Sequence, residues 1–83
     1  MPTILRLNGW RVCFYSNDHS PAHVHVIGQG RESVFDLHCI DGPVSLNRNH
    51  GCSLVELRWI EGQLNTELAN LCASWRAFHG DYY

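Results

Sequence analysis

The chain has no lysine: all six of its basic residues are arginine, and against eight acidic residues they leave a formal net charge of only −2. That balance argues against tight nonspecific binding to nucleic acid through a large basic surface. A local arginine patch stays open, because the guanidinium fork suits carboxylate and phosphate better than an ammonium does. Also missing is any apolar run near the roughly 20 residues that span a bilayer. The opening MPTILRLNGW has no basic region followed by an apolar stretch, so a soluble, unexported, cytoplasmic protein is expected, with no membrane partner. There is no internal repeat, low-complexity tract or linker. Gly28 and Gly30 lack the spacing and the following helix of a phosphate-cradling loop. Cys13, Cys39, Cys52 and Cys72 are widely spaced and form no CxxC. Reduced thiols are the expectation, with Cys13 and Cys72 acting as small buried hydrophobes. No serine or cysteine has a convincing local base, so nucleophilic hydrolysis is not supported.

What is present is an apolar fraction of 45%, with three each of tryptophan, tyrosine and phenylalanine, in 83 residues. This composition belongs to a folded protein, since disordered chains lack the apolar surface to offset their ordering entropy. A chain of this size buries only roughly 60 to 65% of its unfolded surface and has no material for a second core. Residues 1–83 are therefore read as a single domain.

The organisation is strands first, then helices. Thr3 to Leu7 and Trp10 to Tyr15 are β-rich runs on either side of Asn8-Gly9, the dipeptide most typical of a two-residue hairpin. Ser16 to Pro21 reads as a loop, and alternation resumes at His23. Gly28-Gln29-Gly30 reads as a turn, Glu32 to Leu37 as a strand, and Val44 to Leu46 as a short edge strand after Asp41-Gly42-Pro43. Then the period changes. Ser53-Leu54-Val55-Glu56 fits a capping box, and Leu57, Ile60 and Leu64 follow at helical spacing, with a break or kink expected at Gly62. A second helix is expected with Asn65 as its cap and Leu64, Leu68, Leu71, Cys72, Trp75 and Phe78 as its apolar stripe, ending at His79-Gly80. The fold class is α+β: an antiparallel meander of four to five strands (3–46) and a C-terminal helical hairpin (52–80) packed on one sheet face. The other face is left open. Trp10, Trp59 and Trp75 are expected in core or interhelix contacts, and Arg58 and Arg76 on solvated helix faces.

The chemistry concentrates in YSNDHSPAHVHV, residues 15–26, which holds three of the six histidines. On a strand the valines Val24 and Val26 face the core, so His23 and His25 share the outward face, with Cα atoms roughly 6.6 Å apart. Arg11 and Tyr15 fall on that same face, and His19 at its rim. Imidazoles titrating near neutrality suit general acid and base work. Catalytic candidates are therefore His23, His25 and Tyr15; binding candidates are Arg11, Tyr15, His19, His23, His25 and Arg31. An ordinary polar strand face is the competing reading. No cofactor or metal is expected, and the alternative kept is zinc or manganese held by His19, His23 and His25. A cupin-like site is rejected because Glu32 is too distant, and a histidine-triad hydrolase because Ile27 stands where a third alternating histidine is needed. His38-Cys39 with His50-Gly51-Cys52 is a second grouping of soft ligands.

The opening MPTIL, the run GWRVCFYSNDHSPAHVHV and the C-terminal WRAFHG together resemble the small prokaryotic family called domain of unknown function 4160. The match is carried most specifically by Phe14, Tyr15, Asn17, His19, Pro21, His23, Val24, His25 and Val26, with Ala22 departing from a more usual proline. The resemblance implies a compact α+β domain, often encoded beside another small protein in a toxin–antitoxin-like arrangement. The expected function is thus a cytoplasmic protein-binding module, one half of such a pair, acting through its open sheet face or edge strand. Two alternatives are kept: a metal-independent ribonuclease-like toxin using His23 and His25, and an inhibitor of a host defence complex carried by a mobile element. The partner expected is another small protein from an adjacent gene, with RNA or a second copy of the chain as alternatives.

Overall fold

Asn8 and Gly9 hold positive φ angles of 35° and 87°, the combination that a two-residue turn needs to match the twist of its flanking strands. They join β1 (Thr3–Leu7) to β2 (Trp10–Cys13), with Leu7 opposite Trp10. The computed structural model describes residues 3–83; Met1 and Pro2 of the MPTIL opening lie outside the described residues. The chain continues through β3 (His23–Gly28), β4 (Arg31–Asp36) and β5 (Ser45–His50). Gln29 and Gly30, at φ 53° and 75°, repeat the tight-turn solution between β3 and β4. All pairings are antiparallel and the sheet order is β1-β2-β3-β4-β5, a five-stranded meander.

Two helices follow, α1 (Leu54–Thr66) and α2 (Leu68–His79), completing the α+β architecture. The capping box at the head of α1 is formed: Glu56 N–H donates to Ser53 Oγ, and Ser53 N–H donates to Glu56 Oε1. Val12, Val24, Val26 and Phe35 from the sheet bury with Ile60, Leu64, Leu68, Leu71 and Trp75 from the helices in one core. Burying each such side chain contributes about 1.5 to 3 kcal/mol before conformational entropy is subtracted. Phe14 meets Trp75 edge to face at 5.2 Å. The chain end is stitched down as well. Ala22 N–H donates to the Tyr82 carbonyl at 2.7 Å, Trp75 Nε1–H to the Asp81 carbonyl at 2.9 Å, and Tyr83 Oη–H to the Cys39 carbonyl at 2.7 Å.

Several expectations need correction. The last strand is not Val44–Leu46 but Ser45–His50, so the sheet extends beyond residue 46. Every residue of that strand is exposed, so SLNRNH carries no alternation to read. The helical break falls at Glu67 rather than at Gly62, which stays inside α1. Glu67 N–H is shared between the Gln63 and Leu64 carbonyls at 3.2 and 3.1 Å, and α2 starts at the next residue. Asn65 is therefore no cap of α2; its Oδ1 instead accepts from Val44 N–H at 2.9 Å and ties the helix to the β4–β5 connection. Phe78 and Trp59 are exposed rather than core residues. Finally, Cys39 and Cys72 form a disulfide, with Cα atoms 5.8 Å apart, while Cys13 and Cys52 are free and buried. The fold brings the β4–β5 connection against the buried side of α2, a proximity that a 33-residue separation does not reveal.

Candidate functional site

The site begins with a turn. Asp18 N–H donates to the Tyr15 carbonyl at 3.0 Å and Tyr15 N–H donates to Asp18 Oδ2 at 2.9 Å. This reciprocal pair folds the loop after β2 back toward β3 and sets the Asp18 carboxylate beside His23 and His25, its side chain bonding the backbone three residues back. On β3, Val24 and Val26 are fully buried in the core, and the imidazoles of His23 and His25 project from the opposite face.

His25 is held from both ends of its ring. Its Nδ1 lies 3.1 Å from Glu32 Oε2, and its Nε2 lies 3.1 and 3.3 Å from the two Asp18 oxygens. Tyr15 covers it, the ring centroids being 4.1 Å apart. His23 contacts the Pro21 carbonyl through Nδ1 at 2.9 Å and Asp18 Oδ1 through Nε2 at 3.4 Å. A carbonyl only accepts, so the His23 Nδ1 carries a proton and its Nε2 is the nitrogen turned toward Asp18. The two histidine rings stand 5.3 Å apart, with Trp75 5.2 Å from His23.

The surrounding charges act on their neighbours. Burial pushes the Asp18 carboxyl up, but the Tyr15 N–H together with His23 and His25 outweighs it and holds the group below its ordinary value. Burial, then Glu32, Cys13 and Asp18, push the Tyr15 phenol up, so it keeps its proton at neutral pH. Burial likewise raises the Cys13 thiol, against the opposing charge of Arg11. Cys13 is directly opposite His25 and fully buried, which marks it as an inert thiol rather than a nucleophile.

Of the residues expected on the outward face, Arg11, Tyr15, His23 and His25 do share it, Arg11 facing Ile27 across the β2–β3 pair. The face is not open at its centre, however. His25 is only 5% exposed, because Tyr15, Asp18 and Glu32 roof it. His19 is exposed and stands outside the group of converging ligand atoms. It lines a cavity of about 240 Å³ together with Asp18, Trp75 and His79. Arg31 is engaged elsewhere: its guanidinium meets Glu56 at 2.6 Å and Gln29 at 2.7 Å, and lies 5.3 Å from the Trp10 ring centre. The soft-ligand grouping does not assemble, since the Cys39 sulfur is bonded to Cys72 and His38 contacts Ser45 at 2.7 Å.

Two members of the site were missed in the sequence. Asp18 supplies the third ligand-type atom expected of His19: among the described residues, Asp18, His23 and His25 form a group whose ligand atoms all lie within 4.8 Å of one another. Glu32, dismissed as too distant, is paired with Ile27 across the β3–β4 hairpin and so sits diagonally beside His25. The Tyr15-to-Asp18 turn spacing was the legible signal for Asp18, and the Gly28-Gln29-Gly30 turn was the signal for Glu32.

A meander sheet roofed on one face by two helices, with a histidine–carboxylate group on the other, defines a small α+β domain. The chain belongs to the family described as domain of unknown function (DUF4160), whose model matches residues 9–76. No curated protein and no solved structure matches it. Among the described residues, no helix is long and apolar enough to cross a membrane.

Proposed function

We propose that this chain is a partner-binding module that docks through the groove between β5 and α1. The observation that carries the reading is β5 itself, a sheet-edge strand exposed along its whole length. Such a strand offers unpaired N–H and C=O groups to an incoming strand. Beside it runs a groove of about 310 Å³ floored by Phe35 and walled by Leu46, Leu54 and Leu57, with Arg58 and Glu61 at the rim. Leu46 and Leu54 are 42% and 63% exposed, apolar side chains beside the charged Arg58 and Glu61 that a partner would cover on docking.

The partner in this reading is another small protein, encoded by an adjacent gene in a toxin–antitoxin-like pair, and the pair works in the cytoplasm. A free acid–base pair at His23 and His25 receives less support, because all four of their ring nitrogens already contact protein oxygens. Co-expression with the neighbouring gene product, followed by size-exclusion chromatography with light scattering, tests the proposal. A stoichiometric complex that dissociates on Leu46→Glu or Leu54→Glu is the expected result. A neighbouring product that elutes separately from the folded wild-type chain, or a complex indifferent to both substitutions, overturns it.

A further inference from the structure

We propose that Asp18, His23 and His25 form a binding site for one divalent first-row transition-metal ion, with Zn(II) as its natural probe. The argument starts from protons. The Pro21 carbonyl and the Glu32 carboxylate can only accept, so each fixes a proton on the Nδ1 of its histidine. The two Nε2 atoms are then the coordinating nitrogens, and both face the same Asp18 carboxylate. A metal ion there would take the place of the Nε2 protons that the two rings otherwise direct at Asp18, so one cation would satisfy two imidazoles and a carboxylate together.

The distances fit an ion. Ligands about 2.0 to 2.1 Å from a tetrahedral metal stand roughly 3.3 Å from each other. Asp18 Oδ1 lies 3.3 Å from His25 Nε2 and 3.4 Å from His23 Nε2. The full group lies within 4.8 Å, so closing its widest pair on an ion requires a movement of at most about 1.5 Å.

The supporting partners are those that metal-bound histidines use: a carboxylate behind His25 and a backbone carbonyl behind His23, each fixing ring orientation and tautomer. Two histidines and one carboxylate leave at least one coordination position open, as in sites that bind a water or an exogenous ligand. The cavity beside Asp18, with His19 and His79 on its walls, gives that position a way in from solvent.

Titration of untagged full-length protein with Zn(II) against a competing chelator, and with Co(II) followed by its visible d–d bands, tests the site. One ion per chain is expected. Asp18→Asn and His23→Ala should each weaken binding at least about 100-fold, and Glu32→Gln, which acts by positioning His25, about 10- to 100-fold. His19→Ala should bind as the wild type does. His25 is buried, so its alanine variant reports on folding as well as binding; the more exposed Asp18 and His23 carry the decision. A wild-type affinity weaker than about 1 mM, or uptake that survives both Asp18→Asn and His23→Ala, overturns the proposal. Uptake abolished only by alkylating Cys13 and Cys52 overturns it too.

Discussion

The Arg31 guanidinium reaches Glu56 Oε1 at 2.6 Å, and the same oxygen accepts the Ser53 N–H at 2.9 Å, so one carboxylate both caps α1 and clamps it to the head of β4. The Ser53 N–H, and after it the Ser53 hydroxyl and Arg31, hold the Glu56 carboxyl below its ordinary value. A depressed carboxyl makes its stabilising contribution in full above its unfolded-state value and loses it as pH falls through its folded-state value. Urea midpoints measured from about pH 6 down to about pH 3 should therefore fall more steeply for the wild type than for Glu56→Gln. Parallel curves would show that the clamp does not titrate.

The Cys39–Cys72 disulfide closes a 33-residue separation. In the chain-entropy account a loop of that length contributes roughly 3.5 to 4 kcal/mol. Reduction with dithiothreitol, or Cys39→Ser, should lower the melting temperature on the order of 15 to 25 °C in a domain of this size. If the reduced and oxidised proteins melt together, the bond does not contribute to stability.

Two glycines should respond in opposite directions to alanine. A Cβ at Gly62 meets nothing within 4 Å, and the position lies inside α1. Gly62→Ala should stabilise by about 0.5 to 1 kcal/mol. A Cβ at Gly28 would stand 2.5 Å from the Gly9 carbonyl oxygen and 3.0 Å from the Trp10 ring, backbone and core that cannot yield cheaply. Gly28→Ala should cost about 2 kcal/mol or more. Chemical unfolding of the two variants side by side checks both.

Tyr15 shields His25 with its ring rather than its hydroxyl, the centroids being 4.1 Å apart. Tyr15→Phe should leave stability within about 0.5 kcal/mol, whereas Tyr15→Ala removes the cover and should cost about 2 kcal/mol. The His25 ring protons, followed by NMR, should shift strongly only in the alanine variant. An unchanged His25 environment in Tyr15→Ala would refute the shielding role.

These contrasts show where the amino-acid pattern is informative. Asn8-Gly9, the Val24/Val26 alternation and the Ser53/Glu56 box each encode local geometry within a few residues, and each forms as read. β5 is illegible because an edge strand exposed throughout has no burial contrast to imprint on SLNRNH. The side of the strand occupied by His25 follows from period two, yet its burial depends on a loop folding back and a cross-strand neighbour, Asp18 and Glu32, each seven residues away in opposite directions. The disulfide is further still from local pattern, since only packing of α2 against the sheet sets its two halves side by side.

The hydrogen bonds of Asp81, Tyr82 and Tyr83 have a practical side. Asp81 and Tyr83 help wall the cavity beside Asp18, and Tyr82 is bonded to the loop that leads into β3. An affinity tag fused after Tyr83 therefore hangs from the seam that frames the histidine–carboxylate group. A hexahistidine placed there would supply competing imidazoles within reach of the very ligands under test, and a cleavable tag at the other end of the chain is the cleaner reagent.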